Sequence, residues 1–581
     1  MKNKKIFIIL GVILAVTIAT IIIVCNRAKI EEVLKIGKVD DWVYESQNQY
    51  NSKSSYINYN AAFESVATSD MASSNKTNSY IGYSTGGAKD VNNFRENIKS
   101  NYFPILTDIT YQGIFYDYSF DTGTTNESTQ LFSPSYSYAI SKDPISNELE
   151  YYMTVGLNSN IKQSDFQRKK LNLVIMLDIS GSMDSSLDKY YYDGDLEQSK
   201  EETSKMQAAE QSINCLIDQL NDDDRFGVVL FDNDAYLGKE MNLVKNTDLD
   251  AIKNHILEIK AQGGTNFSAG YDKSTQLFDE YLDVDSEEYE NRIIVITDAM
   301  PNLGKTSKDG LYNDIKQNSE KGINTTFIGV GVDFNTELIE NISKVNGANY
   351  YSVHNVEEFK LRMGEQFEYM VTPLVYDLKL DFDSEYFDIE QIYGSDDVNK
   401  DTGNIMNVNT LFPSASNSNG EVKGGVILLK LKPKQNANDL MRTTKLSVSY
   451  KDRNGKNYSN EQKVNIKSDL KEEYYGNTGI RKAIVLVRYV NTIKNWIMYE
   501  RTGEERFYIV EYAGIPECDS INEEAKYLLG ENERTSVKLT VSQNYKNVFS
   551  KIKTYIESEN EQIQDSLLEQ EINILDKLIN Y

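Results

Sequence analysis

The sequence predicts an α/β chain: a doubly wound, mostly parallel sheet flanked by β-rich segments, with a carboxy-terminal helical region and an amino-terminal transmembrane helix. Three observations carry this. Between residues 171 and 355, continuous apolar runs alternate with helix-period segments, the pattern of strands buried on both faces and joined by crossover helices. On either side of that stretch the runs give way to period-two alternation, which marks strands with one face in solvent. At the amino terminus, Ile6 to Cys25 is apolar except for Thr17 and Thr20.

Taken in order, the first element is the apolar stretch. Its roughly 20 residues, at about 1.5 Å each, suffice to cross a hydrocarbon core of about 30 Å. Lys2, Lys4 and Lys5 precede it, which favours a cytoplasmic amino terminus and an exported remainder. Ile21-Ile22-Ile23-Val24 before Cys25 offers no small-residue cleavage site, so an uncleaved signal anchor over residues 1–27 fits better than a removed signal peptide. The expected location is the plasma membrane, single-pass, with residues 6–25 in the bilayer and the bulk of the chain extracellular. Residues 28–80 are polar and read as a linker. Residues 81–168 read as a small β-rich module, with strand patterns at Tyr111–Phe120, Tyr136–Ile140 and Glu148–Leu157 and helical character over Asp90–Asn101.

The α/β unit is assigned to residues 169–370. Its buried strands are Leu173–Leu177, Phe226–Phe231, Arg292–Thr297, Thr325–Val330 and Asn349–Val353. Its helices are Met206–Leu220, Leu249–Ile259, Leu311–Lys321 and Thr336–Val345. Residues 371–470 read as a β-sandwich-like domain with strands at Leu374–Phe382, Gly425–Leu431 and Thr444–Tyr450, and Asp452-Arg453-Asn454-Gly455 as a hairpin turn. Residues 471–581 form the helical region, with a helix over Gly479–Tyr499 and one amphipathic helix carrying Val548, Ile552, Ile556, Ile563, Leu567, Ile574 and Leu578.

Composition narrows the function. Asp and Glu number 88 against 61 Lys and Arg, a formal charge of −27. That field repels nucleic acid and favours cations. Only two histidines occur, His255 and His354, and no His-Glu-x-x-His motif, so the chain reads as a non-enzyme. The three cysteines, Cys25, Cys215 and Cys518, have no metal-binding spacing. The low proline content, 8 residues, beside 40 tyrosines fits an AT-rich bacterial genome and a cell-surface protein.

The chemistry gathers at strand ends. The first buried strand runs into Asp178-Ile179-Ser180-Gly181-Ser182, the loop Gly263-Gly264-Thr265-Asn266 opens a helix, and the third strand runs into Thr297-Asp298. Ligands of open parallel sheets collect outside the carboxyl ends of strands, and these side chains offer the oxygen donors that hard cations require. A lone Asp-x-Ser-x-Ser is also an ordinary capped turn; the conjunction of three segments in this order is far more specific. At this point the sequence resembles the von Willebrand factor A family and its metal-ion-dependent adhesion site. It also resembles bacterial proteins labelled calcium-activated chloride channel homologues and, more distantly, inter-alpha-trypsin inhibitor heavy chains. A single apolar span cannot form a pore by itself.

The resemblance implies that Asp178, Ser180, Ser182, Thr265 and Asp298 hold a divalent cation, Mg²⁺ first, with Mn²⁺ or Ca²⁺ as alternatives. It implies that the ion then accepts a carboxylate from a protein ligand, an adhesion function. An alternative role is an accessory or regulatory subunit assembling with a membrane transporter or envelope complex. Between Ser182 and the next helix lies an acidic, aromatic insertion. Its Asp188, Tyr190, Tyr191, Tyr192 and Asp193 are candidates for the ligand-facing surface.

Overall fold

The structure is a computed structural model that describes residues 37–45, 82–85, 91–125, 131–162, 166–190, 203–282, 288–298, 308–333, 345–355, 358–359, 361–395, 398–414, 422–434, 443–453, 455–465, 472–502 and 537–581. The predicted anchor therefore lies outside the described residues, as does the helix expected over residues 336–345 apart from its last residue. Among the described residues, no helix is long and apolar enough to cross a membrane.

A six-stranded sheet holds the centre. In chain order its strands are β1 (Lys170–Asp178), β2 (Arg225–Phe231), β3 (Ala235–Leu243), β4 (Tyr289–Thr297), β5 (Ile323–Val330) and β6 (Asn349–Val353). In space they run β3-β2-β1-β4-β5-β6. Every neighbouring pair is parallel except β2 with β3. Around the sheet lie α1 (Lys205–Ile217), α2 (Leu249–Leu257), α3 (Phe267–Gln276) and α4 (Lys308–Glu320). The side chains of β1 explain its unbroken apolar run. Leu171, Leu173, Ile175 and Leu177 pack with Ala209 and Ile213 of α1 and Ile252 of α2. Val174 and Met176 pack with Tyr271 of α3 and Ile315 of α4. Both faces are core, so alternation has no polar side to show.

The antiparallel edge strand β3 carries only a weak apolar pattern and is absent from the sequence reading. A strap from residues 38–44 closes this edge. The Val43 amide donates to the Gly238 carbonyl at 2.9 Å, and Val39 exchanges backbone bonds with Asn246 and Asp248. Asp41 meets the buried Lys239 ammonium at 3.0 Å, and Trp42 stacks on His255 with ring centroids 5.6 Å apart.

The β-rich segments before and after the α/β unit join one another. One antiparallel sheet runs through strands Gly82–Thr85, Asn404–Ser414, Val375–Ser384, Thr443–Lys451 and Asn457–Asn465. The other runs through Phe387–Tyr393, Val426–Pro433, Leu149–Ser159, Phe132–Lys142 and Tyr474–Tyr475, with Thr124–Thr125 added beside Phe132–Lys142. The register Met153 to Leu429 ties the two sides of the chain. Met153, Leu157, Leu380, Leu429 and Val448 share one apolar core, which makes the pair of sheets a sandwich.

Two local expectations are corrected. Tyr111–Phe120 is not a strand: Tyr111–Asp117 is helical, and Ser119–Phe120 forms a short strand. Thr110 caps the helix by accepting from the Gly113 amide at 3.0 Å, and Ile114 and Phe115 turn into the core. The last helix is two, α6 (Gln543–Ile563) and α7 (Leu568–Asn580), which follow α5 (Thr478–Thr502). Gln564, at φ 57, ends α6 in the left-handed region. These helices share a core around Trp496 with the helix Asn92–Lys99.

Candidate metal centre

The strand order places the site. The chain leaves β1 towards β2 and leaves β4 towards β5, in opposite directions along the sheet. A crevice opens at the carboxyl ends where the winding reverses. Asp178 is the last residue of β1, and Asp298 follows the last residue of β4.

The turn after β1 is built on Asp178. Its Oδ1 accepts the Ser180 amide at 2.8 Å, and its Oδ2 accepts the Thr297 hydroxyl at 2.6 Å. The first bond folds the turn, and the second ties it to the end of β4. The turn brings the Ser180 and Ser182 Oγ atoms to 3.0 Å of each other. The loop carrying Thr265 is bound to the same turn. The Gln262 amide donates to the Ile179 carbonyl at 2.6 Å, and the Gly181 amide to the Gly263 carbonyl at 3.1 Å. Gly263 has φ +70, and a Cβ there would lie 2.9 Å from Asn233 Nδ2, so this bend requires glycine. Asn266 caps α3 by accepting from the Ala269 amide.

The centre is recessed. Asp178, Ser180, Ser182, Thr265 and Asp298 are 0, 1, 6, 2 and 0% exposed, so charges here act with little water between them. Burial pushes the Asp178 carboxyl up to about 7, and the Asp298 charge adds to the rise. Hydrogen bonds from Thr297 and Ser180 oppose it. In this dry crevice the neighbouring Asp298 carboxylate disfavours the charge of Asp178, and a cation relieves the conflict.

Two residues that the sequence reading missed complete the centre. Lys205, the first residue of α1, is fully buried, and its ammonium lies 3.1 Å from Asp298 Oδ2. The same ammonium bonds Asp333 Oδ1, which follows β5. Desolvation works against the charge of Lys205, but the two carboxylates outweigh it and raise its pKa. A signal existed for each. A lysine in the first turn of a helix opposes the helix dipole, and Gly331-Val332-Asp333 leaves a buried strand at the same sheet edge as Asp298.

With Lys205 on Oδ2, Asp298 Oδ1 is buried and has no hydrogen-bond partner among the described residues. Leaving such an oxygen bare is costly, and a hard cation beside serine and threonine hydroxyls would satisfy it. Among the described residues, no cluster of three His, Cys, Asp or Glu side chains could hold a metal ion. A cation here would therefore draw on hydroxyl oxygens, and the donor set fits one.

Of the insertion candidates, Tyr191, Tyr192 and Asp193 lie outside the described residues. Asp188 accepts from the Ser186 hydroxyl at 3.0 Å. Tyr190 donates to Asn97 Oδ1 at 2.9 Å, and its ring packs edge-on against Tyr102. Of the two histidines, His255 bonds Asp40 at the surface, and His354 is buried beside Asn93. Cys215 forms no disulfide among the described residues and is partly buried against the core.

Comparison with known proteins agrees with the fold. Residues 173–301 match the family model of the von Willebrand factor type A domain, a span that contains all five predicted ligands. The inter-alpha-trypsin inhibitor heavy chain H2 of Mesocricetus auratus is 19% identical over 214 residues, 36% of this chain and 21% of its own length. Heavy chain H4 of Homo sapiens is 21% identical over 222 residues, 37% of this chain and 21% of its own. The uncharacterized protein YfbK of Escherichia coli (strain K12) is 22% identical over 238 residues, 40% of this chain and 37% of its own. The solved structure of a von Willebrand factor type A protein from Catenulispora acidiphila aligns at a TM-score of 0.37 and 14% identity, covering 64% of this chain and 82% of that one. This chain thus matches about one fifth of the heavy chains' length. It carries a von Willebrand factor A-type domain, typically a module for protein interaction. Nothing in these comparisons supports the chloride-channel label.

Proposed function

We propose that this chain is a membrane-anchored extracellular binding protein whose A-type domain uses a divalent cation, Mg²⁺ first, to engage a carboxylate of a protein ligand. The observation that carries the reading is the buried Asp298 Oδ1, without a hydrogen-bond partner among the described residues, at the sheet edge that also presents the paired Ser180 and Ser182 hydroxyls. Ser180, Ser182 and Thr265 would hold the ion through hydroxyl oxygens, and Asp178 and Asp298 directly or through water. Bound there, the cation supplies an electrophilic position that an acidic side chain of a partner can fill.

The chain's own residues do the positioning. Asp178 spends its two oxygens on Ser180 and Thr297, which fixes the turn and leaves the serine hydroxyls to face the ion. The acidic, tyrosine-rich insertion between Ser182 and Ser204 would flank the ligand. The test is the melting temperature of the full-length chain with chelator and with Mg²⁺, Mn²⁺ or Ca²⁺, beside Asp178→Ala and Ser182→Ala. At a hundredfold excess over its dissociation constant, an ion bound only by the folded state adds about 2.7 kcal/mol. A rise that both variants abolish supports the reading; no rise with any ion, in a folded chain, overturns it.

A further inference from the structure

The reach of Lys205 into the centre is unusual for its place in the fold. Its side chain and that of Asp298 are both fully buried, and that of Asp333 is 1% exposed. The backbone is shaped to admit it. Gly331, after β5, has φ +91, and a Cβ there would lie 2.6 Å from Lys205 Cε. The other end of the residue is fixed too. The Lys205 amide donates to the Ser185 carbonyl at 2.9 Å, and Ser186 bridges Ser204. Lys205 therefore stands where the acidic insertion returns to the domain, with its ammonium between two carboxylates.

We infer that Lys205 is a positioning residue that sets the charge of the metal centre: it holds Asp298 by one oxygen, leaves the other for the ion, and offsets a carboxylate that would otherwise add to the site. This rests on the metal-binding reading above. A fixed ammonium beside a cation site lowers affinity for the ion. The bound ion then stays short of negative charge, which is the condition for taking a further carboxylate from a partner. In a crevice this dry, one unit of charge weighs heavily on a dication. Asp333 is the opposing weight: it keeps Lys205 paired without itself being one of the five predicted ligands.

A purely structural lysine and a charge-setting one predict opposite results. Mn²⁺ alone is the probe, titrated into the full-length chain by calorimetry and by electron paramagnetic resonance. Lys205→Met should bind Mn²⁺ about tenfold or more tighter than the unaltered chain, and Asp333→Asn about tenfold weaker. The double variant Lys205→Met with Asp333→Asn should return towards the starting affinity. Lys205→Arg should stay near it. If the unaltered chain binds no Mn²⁺, the metal-binding reading itself fails. If it binds, and a folded Lys205→Met binds equally or more weakly, Lys205 is only a structural strut and the inference is overturned. Should Lys205→Met not fold, Asp333→Asn decides alone, and unchanged affinity there overturns the inference.

Discussion

The α/β unit and the sandwich beside it are built on opposite principles. The six strands of the α/β sheet come from one continuous stretch, Lys170 to Val353, while the sandwich pairs Leu149–Ser159 with Val426–Pro433 across the whole of that unit. One region can close its core from local sequence, and the other cannot pair its central strands until the chain has gone through the α/β unit and returned. The contrast predicts an order of folding, the α/β unit first and the sandwich after it, because non-local strand pairing must close the longer loop.

The largest effects come from truncating each core. Ile175→Ala in β1 and Leu429→Ala in the sandwich each remove a fully buried side chain and should cost about 3 kcal/mol. Chemical denaturation followed by hydrogen exchange should show Ile175→Ala loosening both regions and Leu429→Ala loosening the sandwich first. Equal loosening of both regions by either variant would mean that they fold as a single unit.

A smaller effect should be confined to the α/β unit. Glu210 on α1 is 5% exposed, and burial pushes its carboxyl up to about 8 against the opposing pull of Lys260. The folded chain holds this proton at neutral pH, whereas the unfolded chain releases it at the ordinary value near 4.5. Its contribution to stability is complete below that value and declines as pH rises towards 8. Glu210→Gln should therefore be near neutral at pH 4.5 and stabilising by a few kcal/mol at pH 8.5, at about 1.4 kcal/mol for each unit of the rise. Melting curves at the two pH values check this, and an unchanged pH slope would show that the site is solvated. Smallest is the strap: Trp42→Ala loses the stacking on His255 and should cost about 1 kcal/mol, read as faster amide exchange in β3 and not in the sandwich.

The same contrast governs what was legible. Strands buried on both faces announce themselves as apolar runs, and Leu173–Leu177 and Thr325–Val330 fall inside β1 and β5. Because the turn chemistry follows directly from strand ends, Asp178, Ser180, Ser182 and Asp298 were legible at the edge where the structure has them. The pairing of Met153 with Leu429 was not, since nothing local to either strand names a partner 276 residues away. Tyr111–Asp117 misled because its aromatic spacing imitates alternation, while the deciding signal was the Thr110 cap. Lys205 escaped for a different reason: a lysine is ordinarily read as surface, and only Asp298 and Asp333, distant in sequence, make its burial tolerable.

The strap at residues 38–44 has a consequence for the molecule among its neighbours. An uncovered edge strand presents a row of amides and carbonyls to any extended chain nearby, and sheets grow from one molecule to the next along such rows. Here the Gly238 carbonyl on the edge strand is already taken by the chain's own Val43 amide, Val39 bonds Asn246 just beyond the strand, and the Asp41 carboxylate is paired with Lys239. A copy that lost the strap would expose both a template and a buried charge. The strap thus occupies part of the edge along which one copy could otherwise add to another.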